Sequence, residues 1–216
     1  LLGMSVAWGQ RLQTPTLSPI TKITQQIGLT EIGLEYSRPS AKGRPVFGDL
    51  VPFGEVWRTG ANASTKITLN ESAQIGGHVI DAGTYALYTI PDPDTWTIII
   101  HGNTKLRSLA GNVYQSTDDL FRFEVPVQKS ADYVESFTLQ FANLRTEAVD
   151  LELRWAHTLV VIPFHVEVAA KVAAQMNRLL QSSESVPHRI YFQAAEYNLH
   201  NDADLTVALA WINAAL

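Results

Sequence analysis

Large apolar residues at every second position constrain this chain more than any other feature. Ile32, Leu34 and Tyr36 alternate with Glu31, Gly33, Glu35 and Ser37, and Phe121, Phe123, Val125 and Val127 alternate with Arg122 and Glu124. Phe137, Leu139 and Phe141 alternate with Ser136, Thr138 and Gln140, and Leu151, Leu153 and Trp155 with Asp150, Glu152 and Arg154. A strand turns successive side chains to opposite faces, so each run buries one face and wets the other. That is the pattern of half-buried antiparallel strands. Residues 96–100 (WTIII) are apolar on both faces and predict a central strand. Gly76-Gly77 fits a two-residue hairpin loop with positive φ, and Pro91-Asp92-Pro93-Asp94 ends one ladder before Trp96 opens the next. About nine or ten short strands at this spacing predict a mainly β fold, an antiparallel β-sandwich over residues 18–167. The longest irregular stretch, residues 102–119, has strand signals on both sides, and loops of that length are usually functional.

After Glu167 the period becomes helical. Val168, Val172, Met176 and Leu179 fall on one face, residues 181–186 form a polar linker, and Ser185 with Pro187 opens a second helix carrying Ile190, Ala194 and Tyr197. Asp202 or Asp204 starts a third with Leu205, Leu209, Ile212 and Leu216. Residues 168–216 are therefore expected as an α-helical appendage. Its last two helices look like one tetratricopeptide-type hairpin, a unit that forms a solenoid only in about three copies. The expectation is a helical hairpin packed on the sandwich or on a dimer partner.

Residues 1–9 (LLGMSVAWG) are uncharged, too short to span a bilayer, and carry Ala7 and Gly9 at alternate positions, as signal peptidase requires. They are expected to be a signal-peptide remnant, giving a periplasmic or extracellular protein. No later segment is apolar and long enough in sequence to predict a membrane span. The absence of cysteine removes disulfides, thiol nucleophiles and lipidation, and a net charge of −5 argues against a nucleic-acid partner.

That charge is uneven. Between residues 37 and 66, Arg38, Lys42, Arg44, Arg58 and Lys66 face only Asp49 and Glu55, leaving this segment at +3 and the rest at −8. Arginine's planar fork matches carboxylates and phosphates, and Trp57, Phe53 and Tyr36 could add a stacking face. The candidate ligand-binding residues are Tyr36, Arg38, Trp57, Arg58, Asn62 and His101. A structural role competes: Arg38 and Arg58 could pair with Glu35, Glu55 or Asp49 and brace loops. The six histidines show no i, i+4 pair and no HExxH, so no metal or other cofactor is expected. There is no GxSxG elbow and no glycine-rich phosphate loop.

Three long motifs carry a resemblance: QxIGLTEIxLEYSRPSxKGR (residues 25–44), VFGDLVPFGEVWRTGANASTKI (46–67), and AGTYALYTIP followed by WTIII (82–91, 96–100). In these the chain resembles the bacterial exported family known as domain of unknown function 2911, over residues 18–165. The resemblance implies secretion and a β-rich domain and brings no reaction or catalytic residues. Residues 105–117 depart from the family's tryptophan-glycine-aromatic stretch. Three functional expectations follow. The first is a non-catalytic exported sandwich that binds a small anionic or carbohydrate ligand or a protein partner. The second is a periplasmic hydrolase using Glu55 and His101. The third is an assembly protein that homo-oligomerises through its helical tail.

Overall fold

The structure is a computed structural model and describes residues 14–106, 114–180, 187–201 and 205–215; residues 1–9, Ser185, Asp202, Asp204 and Leu216 lie outside them. The chain falls into two compact units, the first ending at Val166 and the second opening at Glu167. The first unit holds nine strands: β1 (Ile20–Ile27), β2 (Thr30–Ser37), β3 (Thr65–Leu69), β4 (Ala73–Ile75), β5 (His78–Ile80), β6 (Gly83–Ile90), β7 (Thr95–His101), β8 (Asp119–Ala142) and β9 (Ala148–His165). All neighbours are antiparallel, in the order β1-β2-β3-β6-β7-β8-β9-β4-β5.

The period-two runs become strands as expected. Ile32, Leu34 and Tyr36 of β2 are buried while Glu31 is exposed, and Trp96, Ile98, Ile99 and Ile100 of β7 are buried on both faces. Gly76 and Gly77 join β4 to β5 at φ 57° and 84°, the left-handed pair that a two-residue hairpin needs.

The predicted architecture needs correction in one respect. The strands form a single open sheet edged by β1 and β5, not two separate sheets. The reason lies in β8. The runs at residues 121–127 and 136–141 belong to one 24-residue strand, which pairs β7 with its first part and β9 with its second. Pairing with β9 carries the stretch between them through as strand. Register shifts between Lys129 and Val134, and again before Thr138, mark where the ladder is bulged. Opposite Val134 stands Ala156 with φ 50°, a left-handed backbone that a non-glycine residue adopts only at a cost.

The bulged region lets one face of the sheet close on itself. Trp96 of β7, Phe137 of β8 and Trp155 of β9 come together with Phe47 and Trp57 from the β2–β3 connection. Trp57 and Trp155 stack at 5.9 Å and 22°, and the other contacts are mostly edge-to-face. Such pairs contribute about 0.5–1.5 kcal/mol each beyond the area they bury.

The second unit contains α1 (Ala169–Leu180), α2 (His188–His200) and α3 (Leu205–Ala215). Pro187 stands at the α2 N-cap itself, where its missing N–H costs nothing. Ala195 and Ala208 are buried between α2 and α3, and Ala194 is buried on the side of α2 that faces α1. No helix among the described residues is long and apolar enough to cross a membrane.

Candidate functional site

The sequence segment that drew most attention, YSRPS, proves to be a fastening. Past the end of β2 the chain runs antiparallel to the free edge of β8. Phe137 N–H donates to Pro39 O and Ala41 N–H to Glu135 O, both at 2.9 Å, with an isolated bridge between Ser40 and Ser136. The Tyr36 hydroxyl donates to Leu139 O and accepts from Leu139 N–H, each at 3.0 Å. Arg38 Nε donates to Phe137 O at 3.0 Å and Nη2 to Thr138 Oγ1 at 2.7 Å. Tyr36, 3% exposed, and Arg38 are thus spent on holding the two parts of the bent sheet together. The carboxylate expected for Arg38 is elsewhere. Glu35 pairs with Lys22 at 2.8 Å and Lys66 at 3.3 Å across the opposite sheet face, and Lys22 first, then Lys66, hold its carboxyl below 4.5.

Beside this fastening lies a cleft of about 460 Å³. Lys42, Arg44, Arg58 and Asn62 line it together with Trp57 and Trp155. Leu17, Pro39, Leu50 and Val51 supply its apolar wall, and among the described residues no aspartate or glutamate lines it. The loop at residues 57–62 owes its shape to backbone demands. Trp57 pairs with Thr89 through both backbone groups, and its indole Nε1 donates to Gly60 O at 3.0 Å. Gly60 has φ 148°, and a Cβ there would stand 3.0 Å from Ser37 O. Asn62, left-handed at φ 62°, donates Nδ2 to Ser18 O and Ser37 Oγ, both at 3.3 Å. Arg58 is half-buried and donates Nη1 to Asn62 O at 2.7 Å.

Of the six residues singled out by sequence, the structure brings Trp57, Arg58 and Asn62 to the cleft; Tyr36 and Arg38 lie behind it. Of the stacking face expected from Trp57, Phe53 and Tyr36, Trp57 and Tyr36 are core at 8% and 3% exposed, and Phe53, 40% exposed, is not among the residues that line the cleft. His101 lies on the face of β7 opposite Trp96 and is fully buried. Its Nδ1 accepts from Asn103 N–H at 3.0 Å and its Nε2 donates to Gln115 O at 3.1 Å, so both ring nitrogens are occupied by backbone. Glu55 is exposed on the β2–β3 connection. Around His101 pack Tyr88 and Tyr114 at 5.2 Å each. The Tyr114 hydroxyl bonds Asp119, itself paired with Arg122 at 2.6 Å; burial and that carboxylate push the Tyr114 phenol up to about 12. Among the described residues, no three His, Asp or Glu side chains converge as a metal site.

Sequence reasoning passed over Lys42 and Arg44 as site residues. The available signal was Lys-Gly after Ser-Ala, a pair suited to a tight turn. Lys42 and Gly43 are left-handed at φ 52° and 71°, and the turn they make aims Arg44 back at the cleft.

These features define a bent one-sheet β domain with a basic cleft at one end. The chain belongs to the family described as protein of unknown function (DUF2911), whose model matches residues 18–164 and so covers the whole of that sheet but the last residue of β9. No curated protein and no solved structure matches the chain significantly.

Proposed function

We propose that this chain is a non-catalytic binding protein, working outside the cytoplasm, that takes a small anionic ligand in the cleft between residues 39–51 and 57–62. One observation carries the reading. In a chain of net charge −5, Lys42, Arg44 and Arg58 share a cleft wall that no carboxylate lines among the described residues. Glu135 stands close by, its Oε1 accepting from Lys42 N–H at 2.7 Å, but it is not among the residues that line the cleft. Cations gathered in one cleft raise the local concentration of anions and hydrogen-bond their oxygens. A cleft of about 460 Å³ suits a small organic molecule. An anion is favoured over a neutral sugar because the two indoles are 8% and 1% exposed and offer no open ring face. Hydrolysis finds no support at His101, whose nitrogens are both engaged by backbone.

The test uses tryptophan emission, since Trp57 and Trp155 line the cleft. Titration with small carboxylates, phosphate monoesters and neutral monosaccharides is expected to shift emission for the acids alone, and increasingly so at low salt. A response to neutral sugars and none to acids would refute the anion reading. The exported location is tested separately, by fractionating cells that express the protein from its own gene.

A further inference from the structure

We infer that Arg44 is the anion seat of this cleft, and that the ligand is one carboxylate or phosphate group carried on a compact apolar body. The inference rests on the cleft reading above and adds which cation binds and what it binds.

The turn at residues 41–44 comes first. With Lys42 and Gly43 both left-handed and Arg44 N–H donating to Ala41 O at 3.2 Å, it has the pattern of a type I′ turn. That reversal folds the Arg44 side chain back over the preceding backbone. Its Nε donates to Ala41 O and its Nη2 to Ser40 O, both at 2.8 Å. A guanidinium has five N–H donors, and among the described residues Nη1 has no partner, which leaves both of its own for a ligand. The partners are neutral carbonyls, which orient the group without cancelling its charge.

Arg38 also has neutral partners, but it uses them to hold β8, and five other cations are neutralised outright. Lys22, Lys66, Arg122, Arg145 and Arg154 all pair with carboxylates. None of those ion pairs takes Arg44 or Lys42. A cation already held in place also loses little side-chain freedom on binding, which favours affinity.

The apolar half of the ligand is argued from the rim. Leu17 is 81% exposed and Leu50 37% exposed, next to Pro39 and Val51 on the same cleft. A bare inorganic ion would leave these side chains in water, whereas a ring or short branched body would cover them. Carboxylate and phosphate share the fork-binding chemistry of arginine, so the experiment separates them.

The full chain is titrated with benzoate, phenyl phosphate, inorganic phosphate and benzyl alcohol, read by tryptophan emission and calorimetry. Benzoate or phenyl phosphate is expected to bind; the better of the two identifies the anionic group. Benzyl alcohol, without charge, and inorganic phosphate, without an apolar body, should each bind at least about tenfold more weakly. Arg44→Ala should weaken the favoured probe about tenfold or more, and Arg44→Lys should restore only part, since an ammonium lacks the fork. Arg44→Gln repeats the test without the charge while its amide can still reach one carbonyl, should Arg44→Ala disturb folding.

If wild type binds and both the Ala and Gln variants bind within about twofold of it, the Arg44 assignment is wrong and the cleft reading stands. If inorganic phosphate binds as tightly as phenyl phosphate, the apolar body is wrong. If no probe binds wild type, the cleft reading and this inference fall together.

Discussion

Replacing Tyr36 by phenylalanine deletes one oxygen and tests how the bent sheet is held closed. In wild type that hydroxyl serves both backbone groups of Leu139, donating to its carbonyl and accepting from its N–H at 3.0 Å each. Tyr36 is 3% exposed and Leu139 is 2% exposed, so water has little access to either partner once the oxygen is gone. The phenyl ring keeps its edge-to-face contact with Phe137 at 5.8 Å, so packing is conserved and only polar satisfaction is lost. A buried backbone group left without a partner costs about 1–3 kcal/mol. Two such groups cost about 2–6 kcal/mol; less the about 1–2 kcal/mol recovered by no longer burying a hydroxyl, the centre of the range is a net loss of about 2–3 kcal/mol. Urea unfolding followed by tryptophan fluorescence should show this as a midpoint lowered by about 1 M with the slope unchanged. Hydrogen exchange supplies a local check: the Leu139 amide should exchange about 30- to 150-fold faster in the variant, at about tenfold per 1.4 kcal/mol. A loss below about 0.5 kcal/mol, with Leu139 still protected, would refute the fastening role of Tyr36.

Other outcomes follow from the same geometry. Arg38→Met removes two hydrogen bonds to β8 and should lower stability by about 1–3 kcal/mol while leaving affinity for any cleft ligand within about twofold, by paired denaturation and binding measurements. Glu35, with its folded pKa depressed by Lys22 and Lys66, adds stability at pH above 4.5 that is lost as pH falls through the lowered value; Glu35→Gln should flatten that acid limb by under about 1 kcal/mol, and added salt should mimic it. Tyr114 works in the opposite sense. Its pKa, raised from 10.0 to about 12, adds stability fully present below pH 10 and lost as pH rises to about 12, so ultraviolet titration of Tyr114→Phe should lack the last phenol to ionise.

What was legible in the sequence is what is local. The alternation of Ile32, Leu34 and Tyr36, or the Gly76-Gly77 turn, is dictated within a few residues, and those elements formed where expected. The continuity of β8 was hidden because residues 128–135 carry no alternation of large apolar residues, and it is the pairing of Gln128, Lys129 and Val134 with β9 that carries the strand through them. That one hidden pairing turns two expected sheets into one. The same blindness to long-range partners governed the site. Arg38 stood out as a cation beside aromatic residues, yet its partners are a carbonyl and a hydroxyl about a hundred positions away on β8.

Arg38 and Arg44 make the distinction instructive, since both donate to backbone carbonyls within one motif six residues apart. Sequence cannot rank them, because charge and residue type are the same. The difference is what each guanidinium has left over and where it lies. Arg38 bridges a carbonyl and a hydroxyl on the free edge of β8, so the sheet loses a clamp when it goes. Among the described residues Arg44 closes only onto its own turn, against residues three and four positions back, so these hydrogen bonds fasten nothing distant. A charged side chain oriented by its own backbone, on a cleft wall without carboxylates among the described residues, contributes little to holding the fold. Its charge stays available to an anion in the cleft, and for that reason loss of Arg44 should register in binding more than in stability, the reverse of Arg38.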